Sequence, residues 1–160
     1  MRIGHGSDVH RLRAGRPCIL CGVLIPASLG PEGHSDADVA LHALMDAMLG
    51  ALALGDIGKL FPDTDPAYEG ASSLMLLKEV QRRTEALGWR LENADITIIA
   101  QKPKLAPYID EMRHVVEQTL EVPKGSVSVK ATTEEGLGFT GDLSGIAAHA
   151  VVLMERISQY

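Results

Sequence analysis

A formal net charge of −6 spread over 160 residues fits one compact domain, 1–160, and argues against a nucleic-acid partner, because lysine and arginine never gather into a long basic run. The N-terminus Met1-Arg2-Ile3-Gly4-His5 has no signal core, and the most apolar stretch, residues 40–54, is broken by His42 and Asp46. A soluble cytoplasmic protein with no membrane partner is therefore expected.

Residues 2–12 read as a first strand. Positions two apart on a strand share a face, so Asp8 and His10 project together. Residues 16–25 read as a second strand with a bend at Gly22. Its Cys18-Ile19-Leu20-Cys21 is compatible with half a zinc site or a redox pair, but with no second cysteine pair the preferred reading is two small buried hydrophobes. Residues 26–33, with two prolines and two glycines, form a loop. Asp36 is then the expected N-cap of a helix reaching about Ala53, with Val39, Leu41, Leu44, Met45, Met48, Leu49 and Leu52 at helical spacing. His42 falls near the start of that helix. With Asp8 and His10 it could complete a three-ligand metal shell whose fourth position stays open, the arrangement that suits catalysis. Asp38 and Asp46 lie four residues to either side of His42, so either could accept a hydrogen bond from the imidazole nitrogen facing away from the metal.

Residues 55–70, rich in glycine, proline and aspartate, are expected to be a long mobile functional loop. A helix over 71–87 follows, ended by Gly88, and then a strand over 89–101 with the alternating Asp95-Ile96-Thr97-Ile98. Pro107 fits the first turn of a third helix running to about Leu120. Residues 126–133 and 145–157 read as the last two strands. In the final one Ile146, Ala148, Ala150, Val152 and Met154 share a face, yet Ala147, Val151 and Leu153 on the other are apolar too. Three helices cover one sheet face, so the other is expected to lie against copies of the same chain.

Four segments carry a resemblance: Gly4-His5-Gly6-Ser7-Asp8-Val9-His10, His34-Ser35-Asp36-Ala37-Asp38-Val39-Ala40-Leu41-His42-Ala43, Gly55-Asp56-Ile57-Gly58-Lys59-Leu60-Phe61-Pro62-Asp63-Thr64-Asp65, and Lys130-Ala131-Thr132-Thr133-Glu134-Glu135. In this order they resemble the 2-C-methyl-D-erythritol 2,4-cyclodiphosphate synthases over essentially the whole chain. The resemblance implies an α/β (α+β sandwich) fold, a ferredoxin-like subunit with one mixed sheet and helices on one face, assembling as a homotrimer with active sites between subunits. It also implies the chemistry: cyclisation of 4-diphosphocytidyl-2-C-methyl-D-erythritol 2-phosphate with release of CMP, in the non-mevalonate isoprenoid pathway.

By position, the resemblance makes Asp8, His10 and His42 zinc ligands and Glu135 the ligand of a second divalent cation, magnesium or manganese. His34 and Thr133 become transition-state stabilisers, with Ser35 beside them. Asp56, Ile57 and Gly58 match the pocket for the methylerythritol hydroxyls, under a loop of Phe61, Pro62, Asp63, Thr64 and Asp65. Ala100, Gln101, Lys102, Pro103, Lys104, Leu105 and Ala106 match the cytidine segment. Val9, Thr132 and Glu134 fall within the same substrate-binding motifs. Phe139 matches a position near the trimer axis, where the family has a cavity for an isoprenoid diphosphate.

One departure stands out: Phe139-Thr140-Gly141-Asp142 replaces the family's common Phe-Thr-Gly-Arg. An anion at 142 facing the diphosphate would repel it unless Lys102, Lys104 or Lys130 offset the charge. Two other classes remain open: a zinc phosphoesterase giving open-chain products, and a non-catalytic trimer that binds a nucleotide or an isoprenoid diphosphate.

Overall fold

The computed structural model describes residues 1–158, so Gln159 and Tyr160 of the domain expected over 1–160 lie outside the described residues. In chain order, the strands are β1 (Arg2–Ala14), β2 (Cys18–Leu20), β3 (Val23–Ile25), β4 (Leu29–Pro31), β5 (Trp89–Ile99), β6 (Val127–Thr132) and β7 (Gly145–Arg156). The helices are α1 (Val39–Ala51), the single-turn α2 (Ile57–Leu60), α3 (Ser73–Ala86), α4 (Ile109–Thr119) and the single-turn α5 (Gly138–Gly141). Five strands form one mixed sheet in the order β4-β1-β7-β5-β6. Its β5–β6 pair is parallel and its other pairs antiparallel.

Register explains which face is buried. Gly4 and Gly6 of β1 pair with Val152 and Ala150 of β7, which pair in turn with Ala94 and Ile96 of β5, and these with Val127 and Val129 of β6. All eight are buried, and residues directly opposite one another share a face. This face carries α1 against β1 and β7, α3 against β5, and α4 against β6. The opposite face leaves Ile3, Val9 and Val151 exposed. The two-faced reading of the last strand thus meets a sheet covered on one side within the chain.

The closest approach is between β1 and α1. A Cβ on Gly4 would lie 1.9 Å from the Ala47 carbonyl oxygen, and one on Gly6 would lie 2.0 Å from that of Ala43. Only glycine admits the helix backbone so near the strand. The same strand face continues through Asp8 and His10, so this contact places both beside the first turns of α1.

Three expectations are corrected. Residues 16–25 are not one strand but the β2–β3 hairpin, turned at Cys21 and Gly22, which both have positive φ (49° and 75°). The loop expected over 26–33 contains β4, paired with the end of β1. The N-cap of α1 is Asp38 rather than Asp36: one Asp38 oxygen accepts from the amides of Leu41 (3.1 Å) and Cys21 (3.0 Å), and the other from Gly22 (2.7 Å). One buried carboxyl therefore caps the helix and pins the hairpin turn to it. Cys18 and Cys21 are buried and unbridged. Burial, helped by the nearby Asp38 charge, pushes the Cys18 thiol up to about 11 and Cys21 well above its usual value. They behave as small core residues, not as a redox pair.

Candidate active site

Asp8 and His10 leave β1 on its helix face, and His42 leaves the second turn of α1 toward them. The Asp8 Oδ2 lies 2.7 Å from His10 Nε2 and 3.0 Å from His42 Nδ1, and the two ring nitrogens are 3.1 Å apart. Among the described residues, these three make one group of potential ligands whose donor atoms all lie within 4.8 Å of each other. Burial works to raise the Asp8 carboxyl, but its hydrogen bonds with His10 and His42 and their charges prevail and hold it at about 2. Burial would lower His10, yet Asp8 and the Glu32 carbonyl outweigh it and raise its pKa above the ordinary value.

The outer contacts decide which nitrogens face inward. His10 Nδ1 lies 2.8 Å from the Glu32 carbonyl oxygen and donates to it, leaving Nε2 free for a metal. His42 Nε2 lies 3.1 Å from Ser73 Oγ and 3.2 Å from Ser35 Oγ, leaving Nδ1 for the cluster. Ser73 Oγ donates to the Asp36 carboxylate, which also accepts from the Ser73 amide at 2.9 Å. The residues behind His42 are thus Ser73 and Ser35, and neither Asp38 nor Asp46. Asp38 caps α1, and Asp46 accepts from the Ile57 amide at 2.8 Å. Ser73 was not legible because it begins α3, 31 residues after His42, where a serine reads as an ordinary helix start. An Asp and two histidines with the correct nitrogens directed inward fit a divalent metal of the zinc class.

Beside the cluster lies a cavity of about 370 Å³ lined by Asp8, His10, His34, Ser35, His42, Ile57, Gly58, Phe61 and Asp63, with Gly33, Tyr68 and Leu76. A Cβ on Gly33 would stand 3.0 Å from His10 Cε1, so glycine lets the 33–38 turn lie on that ring. The turn holds Ala37 at φ 56°, an uncommon conformation for a non-glycine residue, supported by an Ala37 amide bond to Ser35 Oγ at 3.2 Å. The loop expected over 55–70 is partly ordered. Asp56 caps α2 by accepting from the Lys59 amide at 3.0 Å, and buried Phe61 packs edge-on against Tyr68 with ring centroids 5.2 Å apart. His34 Nε2 lies 3.4 Å from the Asp65 carbonyl oxygen. Asp56, Pro62, Thr64 and Asp65 are not lining residues of this cavity. Neither is Val9, whose side chain points to the opposite sheet face and is 55% exposed.

A second cavity of about 460 Å³ is lined by Ala100, Gln101, Lys102, Pro103, Lys104, Leu105 and Ala106, with Ile109, Ala131, Thr132 and Thr133. The expected cytidine segment therefore forms a concave surface with the end of β6. Gln101 Oε1 accepts from the Gly136 amide at 3.1 Å, tying this segment to the loop after β6. In that loop Glu135 has φ 55°, Thr133 Oγ1 accepts from the Glu135 amide at 3.3 Å, and Glu134 accepts from Thr140 Oγ1.

The two cavities share no lining residue. In the sheet β6 stands three places from β1, with β7 and β5 between, a span of about 14 Å at ordinary strand spacing. His34 with the Asp8 cluster, and Thr133 with Glu135, are thus separate groups in one chain. Asp142 is exposed and turns back on its own loop, accepting from the Ser144 amide at 2.8 Å; its hydrogen bonding with Ser144 lowers its pKa. Lys130, one of the cations considered as its offset, is instead paired with Asp95 at 2.6 Å. Phe139 is 46% exposed and lies over Gly145.

The YgbB family profile matches residues 1–155 of the chain. A 2-C-methyl-D-erythritol 2,4-cyclodiphosphate synthase of Agathobacter rectalis is 61% identical over 151 residues, 94% of this chain and 85% of that relative. A solved structure of a synthase of the same name superposes with a TM-score of 0.89 at 45% identity, covering 96% of this chain and all of that one. A form solved with CDP bound gives 0.89 at 44% identity, with the same coverage.

Proposed function

This chain belongs to the YgbB family, and from that membership and the site above we propose that it cyclises 4-diphosphocytidyl-2-C-methyl-D-erythritol 2-phosphate, releasing CMP, in the non-mevalonate route to isoprenoid precursors. The observation that carries the reading is the convergence of Asp8, His10 and His42 beside a cavity, with the outward nitrogens of both histidines already engaged. In the reaction, an oxygen of the 2-phosphate forms a bond to the β-phosphorus while the bond from that phosphorus to the oxygen bridging to the α-phosphate breaks. The electron pair leaves with CMP. The nucleophile is already anionic, so the barrier lies in orientation and charge repulsion rather than proton removal. This makes the chain a phosphorus–oxygen lyase of the cyclising class.

Asp8, His10 and His42 would hold zinc, and Glu135 a magnesium or manganese ion; bound there, the two cations would neutralise charge on the diphosphate and draw electrons from the phosphorus under attack. The chain's own groups do the positioning. His34 and Ser35 offer hydrogen bonds to phosphate oxygens from the metal side, and Thr133 offers one from the other. Ile57 and Gly58, which line the cavity, receive the erythritol hydroxyls, with the Asp56 carboxylate, one oxygen of which caps α2, as a further acceptor beside them. Residues 100–106 receive the cytosine and ribose largely through backbone groups. His34 and Thr133 act on one phosphate only if they come from different copies, given the span between their cavities. A site shared between neighbouring copies is the assembly this reading needs, the family resemblance makes that assembly a homotrimer, and it would also cover the bare sheet face.

Phosphorus NMR of the purified protein with this substrate tests the reading. Metal-dependent appearance of a cyclic diphosphate with CMP, abolished by chelation, is the expected result. Open-chain hydrolysis products or unchanged substrate would overturn it.

A further inference from the structure

On the sheet face turned away from the helices, β1 and β7 bring two histidines together. His5 and Ser7 lie on the face of β1 opposite Asp8 and His10. Ser7 and Thr97 are the direct cross-strand partners of His149, and His5 pairs with Val151, two residues further along β7 on the same face. His5 Nε2 and His149 Nδ1 are 3.4 Å apart. The ring planes are within 26° of parallel while the centroids are 5.6 Å apart, so nitrogens, not ring faces, confront each other. Both residues are exposed, and the surrounding face carries exposed Ile3, Val9 and Val151.

We infer that His5 and His149 form a second transition-metal site, for an ion of the zinc class, on the bare face of the sheet. The nitrogen separation matches the span of about 3.3–3.4 Å between two imidazole ligands of a tetrahedral ion with bonds of about 2.0–2.1 Å. Imidazole is the ligand type suited to zinc, copper and nickel, and two rings without a carboxylate select these over magnesium or calcium. The strands are hydrogen-bonded neighbours, and β7 is held on its other side by β5, so the two rings start from a paired backbone. Two protein ligands leave positions for water or for groups of another copy covering this face. The site is independent of the Asp8 cluster because successive residues of β1 point to opposite sides.

Zinc titration of the metal-stripped protein without substrate, followed by calorimetry, is expected to show a tight class of sites and a weaker one. The tight class disappears in His42→Ala. Losing even an outer partner of a ligand weakens metal sites roughly 10- to 100-fold, so His149→Gln and His5→Gln should each weaken the second class by at least about tenfold. Both positions are exposed in a single copy; circular dichroism checks that the variants fold and light scattering that they still assemble. Cobalt added to the unmodified protein should broaden the imidazole resonances of His5 and His149, reading the same site without substitution. A single class in the wild-type chain, a weaker class that survives either glutamine substitution, or unbroadened His5 and His149 signals would overturn the assignment.

Discussion

Ser73 shows how much of a site is carried by residues that touch no substrate. Its hydroxyl holds the outward nitrogen of His42 and passes the contact to Asp36. Ser73→Ala is expected to weaken zinc binding roughly 10- to 100-fold while leaving the fold intact, read by competition with a chelator of known affinity; unchanged affinity would assign the orientation to Ser35 alone. The Asp8 carboxyl yields a pH prediction for the metal-free protein. Burial opposes its ionisation, but the His10 and His42 hydrogen bonds hold it at about 2, below the ordinary 3.8. A lowered folded-state value means stability that is fully present above about 3.8 and is lost as pH falls toward 2. The contribution is about 2 kcal/mol. Urea melts across that window should show the loss in the wild-type chain and a flatter profile in Asp8→Asn.

Among the elements, the pairing of β1 with α1 sets the site. Gly6→Ala would drive a Cβ into the Ala43 carbonyl, forcing helix and strand apart. Overpacking of this kind costs about 1–3 kcal/mol and occasionally more, and here it also separates His42 from Asp8. A lower melting temperature together with weaker zinc binding is expected; a fall in only the first would mean that α1 slides without opening the cluster. The elements also show what could be read in advance. Alternation placed Asp8 and His10 on one face, and helical spacing placed His42 in α1, because both periodicities are local. The bend at Gly22 is legible but the full β2–β3 hairpin is not, because its turn residue Cys21 is a non-glycine at positive φ, stabilised by Asp38 from 17 residues away. The switch of cap from Asp36 to Asp38 has the same origin: Asp36 is drawn to Ser73, a partner that sequence spacing does not reveal.

Across the whole molecule, the Asp8–His10–His42 cluster and the residue 100–106 surface occupy separate cavities, on strands that run the same way. The resemblance named both sets of residues and implied a site between subunits; the fold adds how far one copy keeps them apart, three strands along the sheet. His42→Ala is accordingly expected to lose tight zinc binding and activity while keeping its oligomeric state, because His42 lies on the helix side of the sheet. Light scattering that returned a monomer would contradict that separation of roles.

Subunit complementation tests the shared site most directly. His42→Ala damages the metal half, and Glu135→Ala damages the other. Unfolded together in equal amounts and refolded, the two variants should assemble some sites from an intact half of each. Random mixing in a cyclic assembly returns about one quarter of wild-type sites, seen as CMP release that neither variant supports alone. A mixture as inactive as its components, despite verified co-assembly, would contradict a site shared between copies.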